Sequence, residues 1–471
     1  MRGNSGFHKR SKGRLLLFGL IAALGLVCSP GPAANRSAAA APPDIGDGWV
    51  TASPSEAGFE AVPLAAMVKA IERGDYQKIH AVLLVRGGRL VLEEYFGGYS
   101  REKLHPIRSA TKSIGSVLVG IAVDRGLIPG AEEPVGRYFK DRASAWGDRA
   151  GAVTIKSLLT MTCGLDCDDH GDDSFKCERG MRRAEDWVDF VLGLPMAHPP
   201  GEHWAYNSAS LILLSEIVTQ TSGLSVPRFA ERYLFEPLGI KQFKWCFSPR
   251  GRAWLAGSAF MRPRDMARFG QMCLNRGVWN HRRIVSEKWL AESTRLHSHS
   301  EFGMEYGYLW WRGRHAVGGR SLEAFWAEGN GGQAIFICPA LDLVAVFTAG
   351  NYNSLLEFQF MGLLINHILP AILAPGPERR LVDPDNETLA ALPGSYRCHR
   401  LHLHLFVEGG RLAGRLNGQT LRFLLEGNDR FFIPNPVLGD MTGRIVRDAK
   451  GRPTTLAINA AFSELQFHRS D

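Results

Sequence analysis

The stretch Arg108-Ser109-Ala110-Thr111-Lys112-Ser113 leads directly into an apolar segment at residues 114–123. Apolar side chains in that segment recur at the spacing of one buried helical face: Ile114, Val117, Leu118 and Ile121. The pattern predicts a core helix, and Arg125-Gly126 is a typical place for it to end. Ser109 then lies at the start of this helix, and Lys112 lies one turn later on the same face.

The spacing of Ser109 and Lys112 places an amine within reach of a hydroxyl. At the first turn of a helix, unpaired backbone N–H groups and the helix dipole supply partial positive charge. A lysine that is desolvated there loses its proton more readily, so it can accept one from serine. The sequence therefore predicts Ser109 as a nucleophile and Lys112 as its base. The simpler alternative is a serine that only caps the helix.

The same spacing occurs a second time, from Ser100 to Lys103. This second match lies in a polar stretch just before His105-Pro106, and no apolar helical segment starts there. We therefore interpret it as a chance match to a short motif.

Length and composition indicate a folded protein with more than one part. The 471 residues leave room for one large domain and a smaller one, and 45% hydrophobic with 22% charged residues is ordinary for a globular chain. The net charge is +8, but residues 1–41 carry six Lys or Arg and no acid, so the remainder carries +2. No basic stripe remains, which argues against nucleic acid as a partner.

The N-terminus has the pattern of a secretory signal peptide over residues 1–41. A basic segment precedes an apolar run at residues 15–27, and an alanine-rich stretch typical of a cleavage site follows. The run is too short for a comfortable membrane span, and the bulky Leu26 and Val27 before Cys28 disfavour a lipid anchor. We expect a secreted or periplasmic protein with no transmembrane span in the mature chain.

Seven cysteines follow that segment, so at least one is unpaired within a monomer. Cys167 and Cys177 flank a short polar loop and are spaced to pair in an oxidising compartment. The sequence alone leaves the pairing open.

The order of the predicted elements indicates an α+β protein. Two β-rich runs, at residues 81–85 and 90–96, are joined by the hairpin signal Arg86-Gly87-Gly88-Arg89. Besides the Ser109 helix, the predicted helices cover residues 64–71, 154–161, 186–192, 211–220, 265–275 and 355–369. The later predicted strands cover residues 308–311, 324–327, 334–337 and 343–347. This order predicts an antiparallel sheet completed by chain return and flanked by helices, with a helical lobe beside it and a cleft between the two.

The C-terminal part reads as a separate unit. Ala374-Pro375-Gly376-Pro377 and the charges after it mark a linker. Beyond it, short alternating runs separated by Gly, Asn and Asp predict a small all-β barrel or sandwich. We therefore divide the chain into a signal peptide at 1–41, a large domain at 45–372, a linker at 373–385 and a C-terminal β-domain at 386–471.

Two further stretches carry candidate site residues. In Pro200-Gly201-Glu202-His203-Trp204-Ala205-Tyr206-Asn207-Ser208, a tyrosine hydroxyl near a Ser-Lys pair can both donate and accept a proton. In Glu328-Gly329-Asn330-Gly331-Gly332-Gln333, a glycine-rich backbone next to a strand can direct N–H groups at a developing oxyanion. Taken alone, the first is better explained by a packed tyrosine with a satisfied hydroxyl, and the second by a plain hairpin turn.

Together these stretches resemble the β-lactamase-related serine hydrolases, a family that includes class C β-lactamases, D-alanyl carboxypeptidases, family VIII esterases and 6-aminohexanoate-oligomer hydrolases. Two more segments, at residues 154–164 and 235–240, take part in the resemblance, which covers about residues 45–372. It implies a β-lactamase/transpeptidase-like fold. It also implies Ser109 as nucleophile, Lys112 as its base, Tyr206 as proton relay, and an oxyanion hole from the Ser109 and Gln333 backbone N–H groups.

Two positions depart from the family pattern. Ser208 stands where the second motif usually has asparagine, and Asn330-Gly331-Gly332 stands where the third motif usually has Lys-Thr-Gly. These four residues are candidate binding residues, but the missing cation at Asn330 removes a partner for a substrate carboxylate. We therefore expect weak or absent penicillin turnover and a closer likeness to the esterase and aminohexanoate-amide branch.

No metal site is predicted. In the acidic loop at residues 166–173, the twelfth position of a calcium-binding pattern is Cys177, where a bidentate acid is needed. The loop carboxylates would hold a substrate amine if they border the cleft, although a solvated loop is the simpler interpretation. His399, His402 and His404 lack a further ligand at recognised spacing, apart from the nearby Cys398, and are interpreted as surface residues.

The sequence thus predicts a secreted serine hydrolase that cleaves a small ester, amide or peptide substrate through an acyl-enzyme on Ser109, without a cofactor. Two alternatives stay open: a cell-wall D-amino-acid peptidase or β-lactamase, and a penicillin-binding-like sensor that is acylated without turnover. Oligomeric state and the role of the β-domain are not predicted.

Overall fold

The computed structural model describes residues 40–142, 151–170, 175–317, 320–373, 379–399, 401–416, 419–427, 429–435 and 438–470. Nearly all of the predicted signal peptide, part of the acidic loop and part of the predicted linker lie outside these ranges.

A large sheet organises the N-terminal two thirds of the described chain. Its nine strands are Val50–Thr51 (β1), Ile79–Arg86 (β2), Arg89–Tyr95 (β3), Ser298–His299 (β4), Glu305–Tyr306 (β5), Trp311–Val317 (β6), Arg320–Gly329 (β7), Gln333–Cys338 (β8) and Leu343–Ala349 (β9). Their order is β1-β3-β2-β9-β8-β7-β6-β5-β4, and all pairs are antiparallel except β1 with β3. Pairing of β2 with β9, with Leu84 opposite Ala345, confirms the predicted chain return.

The central strands are buried along their whole length. Every residue of β8 and β9 is buried, because helices and loops cover both faces of the sheet there. The helix Pro263–Leu274 packs against β2, β8 and β9, and its Gly270 lets Val344 and Ile335 approach closely. A rigid, dry sheet of this kind gives fixed positions to residues at the ends of its strands.

One predicted strand is wrong in its bounds. The strand expected at residues 308–311 begins only at Trp311, and Leu309 instead adopts a left-handed backbone with φ 61°. Two hydrogen bonds hold the bend: the Tyr308 N–H donates to the Ser293 carbonyl, and the Leu309 carbonyl accepts from the Ser113 hydroxyl. Tertiary hydrogen bonds thus override the local β preference.

The helices inserted between β3 and β4, apart from Pro263–Leu274 on the sheet, form the predicted helical lobe. Among the residues that the structure describes up to β9, the α-helices are Ala61–Arg73 (α1), Thr111–Asp124 (α2), Ile155–Leu159 (α3), Lys176–Arg183 (α4), Trp187–Leu192 (α5), Leu211–Ser222 (α6), Val226–Ala230 (α7), Pro263–Leu274 (α8) and Glu287–Ser293 (α9). Helix α2 is buried almost throughout, as its apolar repeat predicts, and it packs against α6 and α9. Short strands at His105–Pro106, Lys244–Trp245 and Ala259–Met261 form a three-stranded sheet that leads into α2.

After β9, the helical segment Leu355–Ile372 closes the large domain. In the described residues it is the one helix long and apolar enough to cross a membrane, but half of it is buried inside the protein. Its Phe360 ring packs against Phe347 of β9. The core helices of many proteins pass the same test of length and composition, so this segment is read as a core helix, as its sequence predicts.

The C-terminal part forms a barrel-like sheet. Its strands are Gly394–Cys398 (β10), Leu401–Glu408 (β11), Arg411–Leu416 (β12), Gln419–Arg422 (β13), Leu424–Leu425 (β14), Arg430–Ile433 (β15), Met441–Arg447 (β16), Pro453–Ala460 (β17) and Ser463–Arg469 (β18), preceded by the helix Asn386–Ala391. Consecutive strands pair antiparallel except β13 with β14, and β10 also pairs with β18. The two ends of the sheet, β13 and β14, are separated in sequence by the single residue Phe423, so the sheet curves round into a barrel-like arrangement. This selects the barrel from the two predicted alternatives.

The barrel has its own apolar interior, which includes Tyr396, Leu403, Phe431 and Phe467. One residue of the barrel departs from that arrangement. Phe462, in the turn between β17 and β18, is 2% exposed and belongs to the apolar core of the large domain.

Cys167 and Cys177 form a disulfide bond, as their spacing allows. Cys163, Cys246, Cys273, Cys338 and Cys398 are free thiols.

Candidate active site

Ser109 lies in a single turn of 3-10 helix, Arg108–Ala110, that opens into α2. Arg108 adopts a left-handed backbone with φ 51°, which turns the chain sharply from the short strand His105–Pro106 into the helix. The incoming chain is held because the Ile107 N–H donates to the Ala259 carbonyl. The Ser109 N–H donates no hydrogen bond within the described chain, so this donor is available for a ligand.

Lys112 is 1% exposed and lies one turn after Ser109, as predicted. Its Nζ lies 2.9 Å from Ser109 Oγ and donates to the Ala256 carbonyl at 2.9 Å. Burial lowers the pKa of Lys112 to about 8, against the opposing effect of the carboxylates of Asp169 and Glu178. A substantial fraction of the amine is therefore neutral near pH 8, and the geometry permits proton transfer from the Ser109 hydroxyl.

Tyr206 completes this group from the other side. Its hydroxyl is hydrogen-bonded to Ser109, and its ring lies under Lys112 Nζ, which is 4.6 Å from the ring centroid. The ring is stacked against His170, with centroids 4.7 Å apart, while its backbone carbonyl accepts from the Asp169 N–H. Burial raises the pKa of Tyr206 above its ordinary value, so the phenol stays protonated and can act as a proton donor.

The turn between β7 and β8 approaches Ser109 closely. A Cβ on Gly329 would lie 2.2 Å from the Ile107 carbonyl oxygen and 3.0 Å from the Ser109 nitrogen, so only glycine fits there. The next residue, Asn330, lines the cavities beside Ser109. Its side chain exchanges two hydrogen bonds with Asn353, while its own N–H donates to no group in the described chain.

Gln333 opens strand β8, directly after the turn. It is fully buried, and its side-chain amide donates to the Ala349 carbonyl and accepts from the Ala349 N–H. It pairs with Gly329 across the base of the turn, which leaves Asn330 at the cavity wall. Gly331 and Gly332 adopt positive φ, and the Gly331 N–H donates to the Glu357 carboxylate.

Ser208 also lies away from the cavity wall. It is 2% exposed, and its N–H donates to the Asp169 carboxylate, while its carbonyl accepts from the Trp254 indole. The structure thus brings Ser109, Lys112, Tyr206 and Asn330 together, whereas Ser208 and Gln333 support them from behind.

Two cavities flank Ser109. The larger, about 640 Å³, has aromatic and methionine walls and three carboxyl side chains. Besides Ser109, Gly329 and Asn330, the residues around it are Asp169, His170, Phe175, Arg179, Tyr206, Phe302, Met304, Trp311, Glu328, Asn353, Glu357 and Phe358. The smaller, about 190 Å³, is bordered by Arg108, Arg182, Glu178, Trp254 and Tyr352 among others. An extended substrate can occupy both while its reacting carbonyl lies at Ser109.

Glu328 is the clearest member of the site that sequence reasoning missed. Its carboxylate accepts a hydrogen bond from the Trp326 indole N–H at 2.9 Å. Burial and the nearby Glu357 carboxylate raise the pKa of Glu328 to about 7, against the effect of the Trp326 hydrogen bond. Its one sequence signal is a glutamate directly before the glycine-rich turn, at the end of an otherwise apolar strand.

In the part of the chain that the structure describes, no cluster of three or more His, Cys, Asp or Glu residues is arranged to hold a metal ion. His404 contacts the Ser395 hydroxyl, and His399 lies near Gly303. Residues 171–174 of the acidic loop lie outside the described ranges, whereas Asp169 of that loop reaches the cleft.

Comparison with known proteins identifies relatives. A family model described as Beta-lactamase matches residues 72–357, which is more than half of the chain. The 6-aminohexanoate-dimer hydrolase of Paenarthrobacter ureafaciens is 27% identical over 222 residues, which cover 45% of this chain and 55% of that protein. The match therefore spans about half of that relative's length.

Solved structures share the fold. A putative 6-aminohexanoate-dimer hydrolase from Bacillus anthracis superposes with a TM-score of 0.56 at 22% identity, over 65% of this chain and 83% of that one. The octameric penicillin-binding protein homologue from Pyrococcus abyssi gives a TM-score of 0.53 at 16% identity, over 86% of this chain and 99% of that one. At these identities the likeness is one of fold, and it confirms the predicted β-lactamase/transpeptidase-like architecture.

Proposed function

We propose that this chain, which belongs to the β-lactamase family of serine hydrolases, cleaves an amide or ester bond through an acyl-enzyme on Ser109. The observation that carries the proposal is the 2.9 Å contact between Lys112 Nζ and Ser109 Oγ in a buried site. A lysine that is held at a serine hydroxyl, and whose pKa is lowered to about 8, is an activated Ser-Lys pair.

In the proposed acylation step, Lys112 accepts the Ser109 proton as Oγ forms a bond to the substrate carbonyl carbon. The oxyanion that develops is stabilised by the Ser109 and Asn330 N–H groups, neither of which has a partner in the described chain. We assign the second donor to Asn330 in place of Gln333, because Asn330 lines both cavities.

The leaving group takes its proton from Tyr206, whose raised pKa keeps the phenol protonated. As the bond to the leaving nitrogen or oxygen breaks, Tyr206 gives its proton to the leaving group. The Lys112 ammonium, which holds the proton taken from Ser109 and lies against the Tyr206 ring, then returns that proton to the Tyr206 phenolate. A water molecule then attacks the acyl carbon, and the same groups return the proton to Ser109.

The charge of the two cavities supports a more specific substrate class, a linear amide with one cationic and one anionic end. Asp169, Glu328 and Glu357 border the larger cavity, together with Arg179 and with His170, which lies 3.2 Å from Glu301. Arg108 and Arg182 border the smaller one, with Glu178 bonded to Arg182. The name of the Paenarthrobacter relative, a hydrolase of an aminohexanoate dimer, agrees with this class.

Mass spectrometry of intact protein tests the serine assignment. The protein is incubated with p-nitrophenyl butyrate and with a fluorophosphonate probe, and nitrophenol release is followed in parallel. We expect labelling and turnover in the wild type and in Ser100→Ala, which removes the serine of the second motif, and neither in Ser109→Ala. Labelling and turnover of Ser109→Ala at the wild-type level would refute the assignment. An adduct without turnover would favour the sensor alternative.

The substrate class is tested with p-nitroanilides of equal length whose ends are neutral, cationic, anionic or both. We expect the doubly charged amide to have the highest kcat/KM. Glu328→Gln should reduce the preference for the cationic end, and Arg182→Gln should reduce the preference for the anionic end. Equal rates for all four amides would contradict the proposed class.

We also propose that the protein is exported, from the signal-like pattern of residues 1–41 and from the Cys167–Cys177 bond. Expression of the full chain in a bacterial host, followed by cell fractionation and mass measurement, tests this. A shortened chain outside the cytoplasm is the expected result, and a full-length chain that stays in the cytoplasm would contradict it.

A further inference from the structure

The turn between β17 and β18 is where the barrel enters the large domain. Phe462 contributes its ring to the core of that domain, 4.9 Å from the Phe336 ring and 6.0 Å from the Trp326 ring, centroid to centroid. Ala461 before it adopts a left-handed backbone with φ 51°, which directs the tip of the turn into the large domain.

The same turn is hydrogen-bonded to strand β6. The Arg314 N–H donates to the Phe462 carbonyl at 2.8 Å, and the His315 ring contacts the Ala461 carbonyl at 2.6 Å. Gly313 is required at this contact, since a Cβ there would lie 2.0 Å from the Phe462 oxygen. Side chain and backbone of the turn thus both pack on the large domain.

Trp326, which Phe462 contacts, is fully buried, and its indole N–H holds the Glu328 carboxylate in the larger cavity. Strand β6 begins at Trp311, whose ring is stacked on Tyr206 with centroids 5.9 Å apart. A second barrel contact lies at Gly303, between the cavity residues Phe302 and Met304, where His399 and Leu465 approach.

We propose that the β17–β18 turn is a positioning element of the substrate cavity, in which Phe462 fixes Trp326 and Trp326 in turn orients Glu328 beside Ser109. Dense packing makes this route effective, because a side chain in a close-packed core moves only if its neighbours move. Phe462 touches neither substrate nor Ser109, so its effect on the reaction is indirect. The effect of this turn on catalysis rests on the proposed function. The contacts of Phe462 with Trp326 and of Trp326 with Glu328 can be tested without substrate.

The first measurement is a 13C NMR titration of protein labelled at the glutamate carboxyl carbons. The Glu328 signal is identified by its loss in Glu328→Gln, and we expect its midpoint near pH 7 in the wild type. Trp326→Phe keeps the packing but removes the donor that stabilises the carboxylate, so the midpoint should rise. Phe462→Ala should raise it in the same direction, and Phe462→Leu, which refills most of the space, should return it toward the wild-type value.

Phe406→Ala is the matched control, since Phe406 lies on strand β11 of the same barrel and contacts His404 and Arg415 of the barrel. It should leave the Glu328 midpoint unchanged. Circular dichroism at the temperature of the titration shows whether each variant is folded. If Phe462→Ala does not fold, Phe462→Leu and Trp326→Phe still test the route, because the Glu328 midpoint should rise a little in Phe462→Leu and more in Trp326→Phe.

The second measurement compares two p-nitrophenyl esters of equal length, one with a terminal amine and one without. Trp326→Phe and Phe462→Ala should each reduce the preference for the amine ester by about tenfold, the size of one lost charge-assisted contact. Their kcat for the neutral ester should stay near that of the wild type. Folded Phe462 variants with an unchanged midpoint and unchanged preference would overturn the proposal.

The two proposals fail in different ways. Activity in Ser109→Ala would refute the proposed function and leave the midpoints to judge the positioning route. A preference abolished by Glu328→Gln but unaffected by both Phe462 variants would refute the route and leave the proposed function standing.

Discussion

Two Ser-x-x-Lys segments lie nine residues apart in this chain and differ in everything except their spacing. Ser100 and Lys103 are both exposed in a polar turn, with Lys103 Nζ 3.9 Å above the Tyr99 ring. Ser109 and Lys112 lie at the start of a buried helix, where Lys112 is 1% exposed and bonded to Ser109 and the Ala256 carbonyl. The comparison shows that the same spacing gives two lysines with different burial and different hydrogen-bond partners.

The physical difference is desolvation. Removal of an ammonium group from water disfavours its charged form, and this is the leading cause that lowers the pKa of Lys112 to about 8. The second feature is the neighbourhood: Gly329 and Asn330 bring a backbone edge against Ser109, and Tyr206 brings a hydroxyl. The exposed segment lies on a turn that carries neither.

The largest expected effect is that of replacing the motif lysine with alanine, and the same substitution in the exposed segment serves as its control. Lys112→Ala removes the proposed base, so kcat/KM for p-nitrophenyl butyrate should fall by about 10³-fold, a typical contribution of general base catalysis. Lys103→Ala should leave kcat/KM at the wild-type level. A comparable fall in both variants would show that the buried location is not what selects the functional segment.

The next effect concerns the backbone beside Ser109. Gly329→Ala places a methyl group against the Ile107 carbonyl and the Ser109 nitrogen, so the β7–β8 turn must move away from Ser109. We expect a fall in kcat of about 10²-fold, similar to the loss of one oxyanion-hole donor. Gly130→Ala is the control, since no atom lies within 4 Å of a Cβ there. Normal kcat in Gly329→Ala would contradict an oxyanion hole at this turn.

The pH dependence of the reaction gives a smaller, graded effect. Because Lys112 must be neutral to accept the Ser109 proton, kcat/KM should rise with pH below about 8 and level off above it. Each pH unit below the midpoint should lower the rate about tenfold. A rate that is constant from pH 6 to pH 9 for a substrate without ionisable groups would contradict lysine as the base.

The sequence predicts the parts of this site that depend on local periodicity. The helical repeat at Ile114, Val117 and Ile121 fixes which face of α2 is buried, and Ser109 and Lys112 follow from it. The order of strands around the helical lobe likewise predicts that the late strands complete the sheet begun by the early ones, although which strands pair is known only from the structure.

The remaining parts depend on registers that no local pattern encodes. Whether Asn330 or Gln333 faces Ser109 is decided by how far β7 extends before its turn, and a slip of one residue reverses every side chain. Glu328 enters the cavity for the same reason. The role of Phe462 depends on packing between segments more than a hundred residues apart, so composition around residue 462 predicts only a turn.

The smallest effect, and the sharpest form of the comparison, is on stability. Lys112→Met keeps the length of the side chain but removes the buried amine, so it should stabilise the fold at neutral pH by up to about 3 kcal/mol, from the difference between a pKa of 10.5 and about 8. Between pH 8 and 10.5 the unfolded wild type binds more protons than the folded one, so wild-type stability rises with pH and the advantage of Lys112→Met shrinks. Lys103→Met should change neither the denaturation midpoint nor its pH dependence.

Because Lys112→Met is also inactive in our proposal, a variant more stable than the wild type but without activity would show that the fold retains a destabilising lysine for its chemistry. Denaturant titrations of both variants at pH 7 and pH 10 measure this, and an advantage of Lys112→Met that does not depend on pH would contradict desolvation as its cause.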